Sequence, residues 1–147
     1  MHLAAIVQWS DDAIFSKDLD GVILSWNRGA ERMYGYSAQE AVGHHVTLLV
    51  PEELRPEIAK IMERIRRGEP IDHYLTRRRR KDGEILDVSV TISPVKDETG
   101  RIVGASTIAR NVTERVRALE REKPYTREQE ETNARLRRVN AALERFT

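Results

Sequence analysis

The stretch GASTIARNVTERVRALEREK, residues 104–123, changes character without a break. Gly104 to Ala109 is small and branched and reads as a strand, while Thr113 to Glu122 is charged and reads as a surface helix. No Gly or Pro lies between Ala109 and Thr113, so the chain leaves a sheet and enters a helix directly. Beyond Asn111 strand formers are few. This divides the chain into a globular domain, residues 1–110, and a helical extension, residues 111–147.

Upstream of that strand, Leu86, Val88, Val90 and Ile92 alternate with Asp87, Ser89, Thr91 and Ser93, the period of a half-buried strand. Ile71, His73 and Leu75 alternate with Asp72, Tyr74 and Thr76 in the same way, which sets Ile71 and Leu75 on one face. Turn chemistry at Lys81-Asp-Gly83 and at Asp97-Glu-Thr-Gly100 bounds these strands and the last one, Arg101 to Ala109. Between them and the N-terminus the period is helical. Leu54, Ile58, Ile61, Met62 and Ile65 fall on one face, with Pro51 where such a helix can start and Gly68 as its terminator.

Ala13 to Lys17 and Val22 to Trp26 read as strands joined through Asp18-Leu-Asp-Gly21, a hairpin signal. Asn27 can cap a helix from Arg28 to Tyr34. Ser37 and Glu40 fit a capping box before a very short helix that ends near Gly43. Leu3 to Trp9 reads as an edge helix. Two strands, short helices, one longer helix and three strands make an α+β domain on an antiparallel sheet.

Composition narrows the function classes. The 147 residues carry 25 basic and 24 acidic side chains, a balance that calls for neither a nucleic acid nor a membrane surface. There is no Cys, hence no disulfide, thiolate nucleophile or cysteine metal site. Apolar runs are too short for a membrane span or a signal peptide, so the expected location is the cytoplasm. No nucleophile stands with a base, and there is no phosphate loop or metal-ligand spacing. Catalysis by this stretch of chain is not expected.

The order of elements resembles the PAS family of sensory domains over residues 3–123. The residues that carry the resemblance are Asp20-Gly21-Val-Ile23, Trp26-Asn27, Ala30-Glu31, Gly35-Tyr36-Ser37, Glu40 with Gly43, Arg79-Arg-Lys-Asp-Gly83 and Asn111-Val-Thr113-Glu-Arg115. The family usually has Asp where this chain has Asn111. The resemblance implies a five-stranded antiparallel sheet flanked by helices, and a role in sensing a ligand, cofactor, light or redox state. It also implies that the last strand leads into an output helix, and a stiff junction passes on a displacement that a Gly/Ser loop would absorb. Asn111 or Thr113 can cap the helix at that junction. Two functions remain open on these residues. One is a ligand-sensing signal-transduction module that controls a downstream output, expected to be a histidine kinase of a two-component system. The other is a ligand-free module that dimerises and sets helix register.

The extension carries its own pattern. Val112, Val116 and Leu119 make one apolar stripe, and Pro124 breaks that helix. Thr126 and Gln129 fit a second capping box, after which Thr132, Leu136, Val139, Leu143 and Phe146 recur at alternating steps of 4 and 3. That is a coiled-coil seam and predicts a homodimer. Asn140-Ala-Ala-Leu-Glu-Arg-Phe146 resembles the stretch just before the phospho-accepting helix of sensor histidine kinases. The expectation is a fragment that leads into a kinase region of the same parent chain.

The candidate cavity lining is Ile58, Ile61, Met62 and Ile65 from the long helix, with Leu86, Val88, Val90 and Ile92 and, from the last strand, Ala105 and Thr107. These side chains serve equally as closed core, and no polar anchor stands out among them. Some PAS domains hold haem through a His on the long helix, but Glu52 to Arg67 contains none. Others bind flavin and use a Cys, which this chain lacks. No cofactor is therefore expected, although flavin without an adduct, stacked near Trp26, and haem are not excluded. His44 and His45 read as capping residues and His73 as a strand residue. The run Arg77-Arg-Arg-Arg-Lys81 splits between two strand faces and reads as solvated.

Overall fold

A computed structural model of the chain describes residues 7–8, 10–122 and 134–140. The chain divides into two compact units, Met1–Thr113 and Glu114–Thr147. In the first, β1 (Ala13–Asp18) and β2 (Ile23–Trp26) form the hairpin, followed by α1 (Arg28–Tyr34), α2 (Ala38–Ala41) and α3 (Arg55–Arg66). Then come β3 (Ile71–Arg79), β4 (Ile85–Lys96) and β5 (Ile102–Asn111), and the chain continues into α4 (Thr113–Glu122). The five strands form one antiparallel sheet in the order β2-β1-β5-β4-β3. The α+β fold expected from the residues is the fold observed. Of the expected edge helix at Leu3 to Trp9, only residues 7–8 are described, and they are helical.

Local chemistry sets these bounds. Asn27 accepts from the backbone N–H of Ala30 and starts α1, and Gly35, at φ +79°, ends it. Ser37 and Glu40 form the complete reciprocal capping box. The long helix begins later than Pro51 suggests. Pro51 precedes a single 3₁₀ turn, Glu52–Leu54, and α3 starts at Arg55 with Pro56 in its first turn, where no N–H is needed. Gly29 lets α1 pack closely, because a Cβ there would stand 2.1 Å from the backbone oxygen of Asp12.

The core lies between one face of the sheet and the helices. Ile58, Ile61, Met62 and Ile65 of α3 join Leu86, Val88, Val90 and Ile92 of β4 in a single cluster. Phe15, Trp26 and Tyr34 extend it as an aromatic row, with ring centroids 5.2 and 5.6 Å apart. Trp26 donates its indole N–H to the Tyr36 carbonyl at 2.9 Å, which fixes it as a core residue.

β3 departs from the simple alternation. Its register against β4 slips between Ile71 and Tyr74, and His73 takes φ +46°. The extra residue is a bulge that switches faces. Ile71 is buried, yet Leu75, expected beside it, is 66% exposed. After the bulge Arg78 turns inward and is 5% exposed.

Candidate functional site

Period-two alternation along β1 places Ala13, Phe15 and Lys17 on the core face. Lys17 is 2% exposed. Burial, and secondly the charge of Arg78, lower its pKa from 10.5 to about 8. At that value the ammonium is still largely protonated at neutral pH, and it makes no salt bridge or hydrogen bond among the described residues. The neighbouring strand offers a second unpartnered group. Thr107 on β5 lies opposite Phe15, and its hydroxyl is buried without a hydrogen bond. Lys17 itself lies opposite Ala105. Ala13, Ala105 and Ala109 are fully buried on the same two strands, with Phe15 between them on the same face.

Arg78 is held differently. Its Nη1 donates to Glu57 Oε1 at 3.1 Å, across from β3 to α3. The same carboxylate accepts from the Tyr74 hydroxyl at 2.9 Å and from the Thr76 hydroxyl at 2.9 Å. Glu57 thus neutralises Arg78 and collects three donors that fasten α3 to β3. Its hydrogen bond raises the pKa of the Tyr74 phenol. Tyr34, fully buried, is pushed up to about 12 by desolvation, with Arg78 opposing. Beside Glu57 a cleft of about 260 Å³ is lined by Lys60, Ile61, Arg64, Ile71 and Tyr74.

Each residue of the candidate lining is placed in the interior. Ile58, Ile61, Met62, Ile65, Val88, Val90, Ile92, Ala105 and Thr107 are all buried. The two groups that sequence reasoning missed are Lys17 and Arg78. The alternation Ala13, Phe15, Lys17 signals the first; nothing short of the bulge signals the second. Arg78 also corrects the solvated reading of the basic run. Four of its five cations have carboxylate partners: Arg77 with Asp87, Arg78 with Glu57, Arg80 with Asp82 and Glu84, and Lys81 with Glu40.

The junction at the end of β5 is tied to β4. Val112 donates its N–H to the Asp87 carbonyl at 2.9 Å, and the Asp87 N–H donates to the Thr113 hydroxyl at 3.0 Å. That hydroxyl donates in turn to Asn111 Oδ1 at 2.6 Å, and the Thr113 N–H donates to the same oxygen at 3.0 Å. Val112 and Thr113 are both buried. Asn111 and Thr113 therefore do more than start a helix: they bind its entrance to the adjacent strand. In the C-terminal unit, Leu136 and Val139 of the expected seam lie on described helix and are exposed. Thr132, Leu143 and Phe146 lie outside the described residues.

The described histidines do not fit a haem. None is on α3, His44 and His45 are exposed, and His45 Nδ1 accepts from the Thr47 N–H at 3.2 Å as a local cap. His73 is exposed on β3. Among the described residues no cluster of His, Asp and Glu could hold a metal ion. No described helix is long and apolar enough to cross a membrane.

Comparison with known proteins agrees with this geometry. The sequence profile of the PAS domain matches residues 11–114. Two-component system protein A of Emericella nidulans is 34% identical over 110 residues, which are 74% of this chain and 16% of that protein. Sensor protein FixL of Bradyrhizobium diazoefficiens is 35% identical over 65 residues, 44% of this chain and 13% of that protein. The chain thus spans about a sixth or less of the length of these relatives. Among solved structures, the PAS domain of a Colwellia psychrerythraea protein superimposes with a TM-score of 0.70 at 31% identity, covering 77% of this chain and 96% of that one. The chain belongs to the PAS domain family, whose members in sensor kinases are signal-sensing modules.

Proposed function

We propose that this PAS domain binds a small molecule in its core and passes its occupancy through the β5–α4 junction to an output domain of the same parent chain, a histidine kinase. The observation that carries this reading is the Thr113 hydroxyl, which joins the first residue of α4 to Asp87 of β4 and to Asn111 of β5. β4 supplies Val88, Val90 and Ile92 to the core, so a change in what the core holds moves the strand to which the helix entrance is bonded. Residues 111–147 serve as the helical linker, and the seam from Thr132 to Phe146 brings two copies together as a dimer. The domain has no catalytic role of its own and works in the cytoplasm without nucleic acid. It needs no haem, flavin or metal: its ligand is held by the core lining and the buried groups beside it.

The test is a two-residue Gly insertion after Asn111. It lengthens the junction after the last strand and displaces Val112 and Thr113 while leaving the core cluster of residues 13–109 unchanged in sequence. In a parent chain with its kinase region, autophosphorylation becomes unresponsive to the domain's state, locked high or low, while the isolated domain keeps its cooperative melting by circular dichroism. Unchanged regulation over an intact core would reduce the junction to a tether and favour the alternative, a ligand-free dimerisation module.

A further inference from the structure

Among the described residues, the core faces of β1 and β5 present a buried hydroxyl without a hydrogen bond, Thr107, and a lysine 2% exposed with no hydrogen bond or ion pair, Lys17. Lys17 pairs with Ala105, two residues from Thr107 on the same face. They are diagonal neighbours across the ladder, about 7 Å apart at Cα, close enough for one small group to touch both. An unpaired charge and an unpaired hydroxyl in an apolar interior are each costly. Folding retains both, and neither finds a partner among the described residues.

The charges facing this site can be followed element by element. Arg78 on β3 is neutralised by Glu57 on α3, and Tyr34 on α1 stays neutral with its pKa pushed up to about 12. Within that set Lys17 is a single uncompensated positive charge, which matches a monoanion better than a phosphate of two charges. The rest of the core is apolar: Ile61 and Met62 of α3 belong to the same cluster, and on β4 Ile92 lies opposite Thr107 and Val90 opposite Ala109. A fully polar anion would leave that lining unused.

We infer that the core takes an amphiphilic carboxylic acid, its carboxylate between Lys17 Nζ and the Thr107 hydroxyl and its apolar body against α3. This rests on the ligand-binding reading above and adds the chemical class. The Thr107 hydroxyl donates to one carboxylate oxygen and the ammonium to the other, which satisfies both buried groups at once.

The experiment compares octanoate with its uncharged counterpart octanamide by isothermal titration, on the full 147-residue chain and on Lys17→Met. Native mass spectrometry of both proteins as isolated accompanies it. Lys17→Met replaces the cation by an apolar chain of similar length, so the variant is expected to melt no lower than wild type. The expected result is octanoate binding at least about tenfold tighter than octanamide in wild type, with that preference abolished in Lys17→Met. An endogenous organic acid present in wild type and absent from Lys17→Met supports the inference equally. Acid and amide binding alike, a preference that survives Lys17→Met, or an endogenous ligand without an acidic group would overturn the carboxylate and leave the sensory reading standing. Neither probe binding, with bare polypeptide in the mass spectrum, would overturn both.

Discussion

Asn27 and Lys17 are both polar, both nearly inaccessible to solvent, and belong to the same hairpin, yet they are treated in opposite ways. Every hydrogen-bonding position of the Asn27 amide is used. Its Oδ1 accepts from Ile14 and Ala30, and its Nδ2 donates to the carbonyls of Val7 and Asp12. Lys17 has no such partner. A saturated buried polar group holds backbone segments in register. An unsaturated one is a standing cost, so its retention points to something that binds it. In this domain the first kind marks the scaffold and the second marks the site.

The largest effect that tests the contrast comes from Asn27→Ala. It strips partners from two N–H groups and two carbonyls at once, and the loss is expected to exceed about 3 kcal/mol in denaturant unfolding. A loss under about 1 kcal/mol would mean that the four bonds are easily replaced by water, and the scaffold half of the comparison would fail.

Lys17→Met is expected to act in the opposite direction. In the ligand-stripped protein, unfolded Lys17 holds its proton up to 10.5 while folded Lys17 releases it near 8. Between those values the unfolded chain binds more protons, so wild-type stability rises with pH through that window. Below about pH 8 the full penalty stands, on the order of 3 kcal/mol. Lys17→Met is therefore more stable than wild type at pH 7, and the difference shrinks from pH 8 upward. Above pH 10 both proteins weaken, because unfolded Tyr34 ionises at 10.0 and folded Tyr34 only near 12. A Lys17→Met variant less stable than wild type at pH 7 would show that the ammonium has a partner after all.

The junction belongs on the saturated side of the comparison. Thr113→Val keeps the shape but removes the hydroxyl that serves Asp87 and Asn111. The expected loss is about 1–2 kcal/mol, read as a lowered urea midpoint with unchanged slope. Asn111→Asp gives the smallest change. The Thr113 hydroxyl and N–H both point at Oδ1, so a carboxylate there gains two charge-assisted bonds near a helix start. A rise of about 0.3–1 kcal/mol is expected; a fall would mean that the neighbouring Asp87 chain repels it.

What was legible in the residues follows the same division. Asn27 announces itself, because Trp26-Asn27 ends an alternating strand just where a helical period begins. The sheet, the buried face of α3 and the capping box at Ser37 are equally local: each is a period or a cap within a few residues. The site was harder. Lys17 sits at inward spacing from Ala13 and Phe15, but its position beside the Asp18 turn disguises it as the polar end of a strand. Arg78 could not be placed at all, since the bulge at His73 reverses the face of everything after it. A bulge depends on how β3 meets β4, which no window along β3 alone contains. The Thr113–Asp87 bond is likewise invisible in sequence, since 26 residues separate its ends.

On this reading the core holds, at Lys17, an ammonium without a counter-charge among the described residues, a place that an anion can occupy. The most direct measurement is the titration of Lys17 itself, by NMR of protein labelled at the lysine side chain, with Lys17→Met assigning the signal. In the ligand-stripped protein the midpoint is expected near 8, and saturating octanoate should move it upward, since a bound carboxylate favours the charged form. A midpoint at the ordinary 10.5, unmoved by octanoate, would contradict the claim.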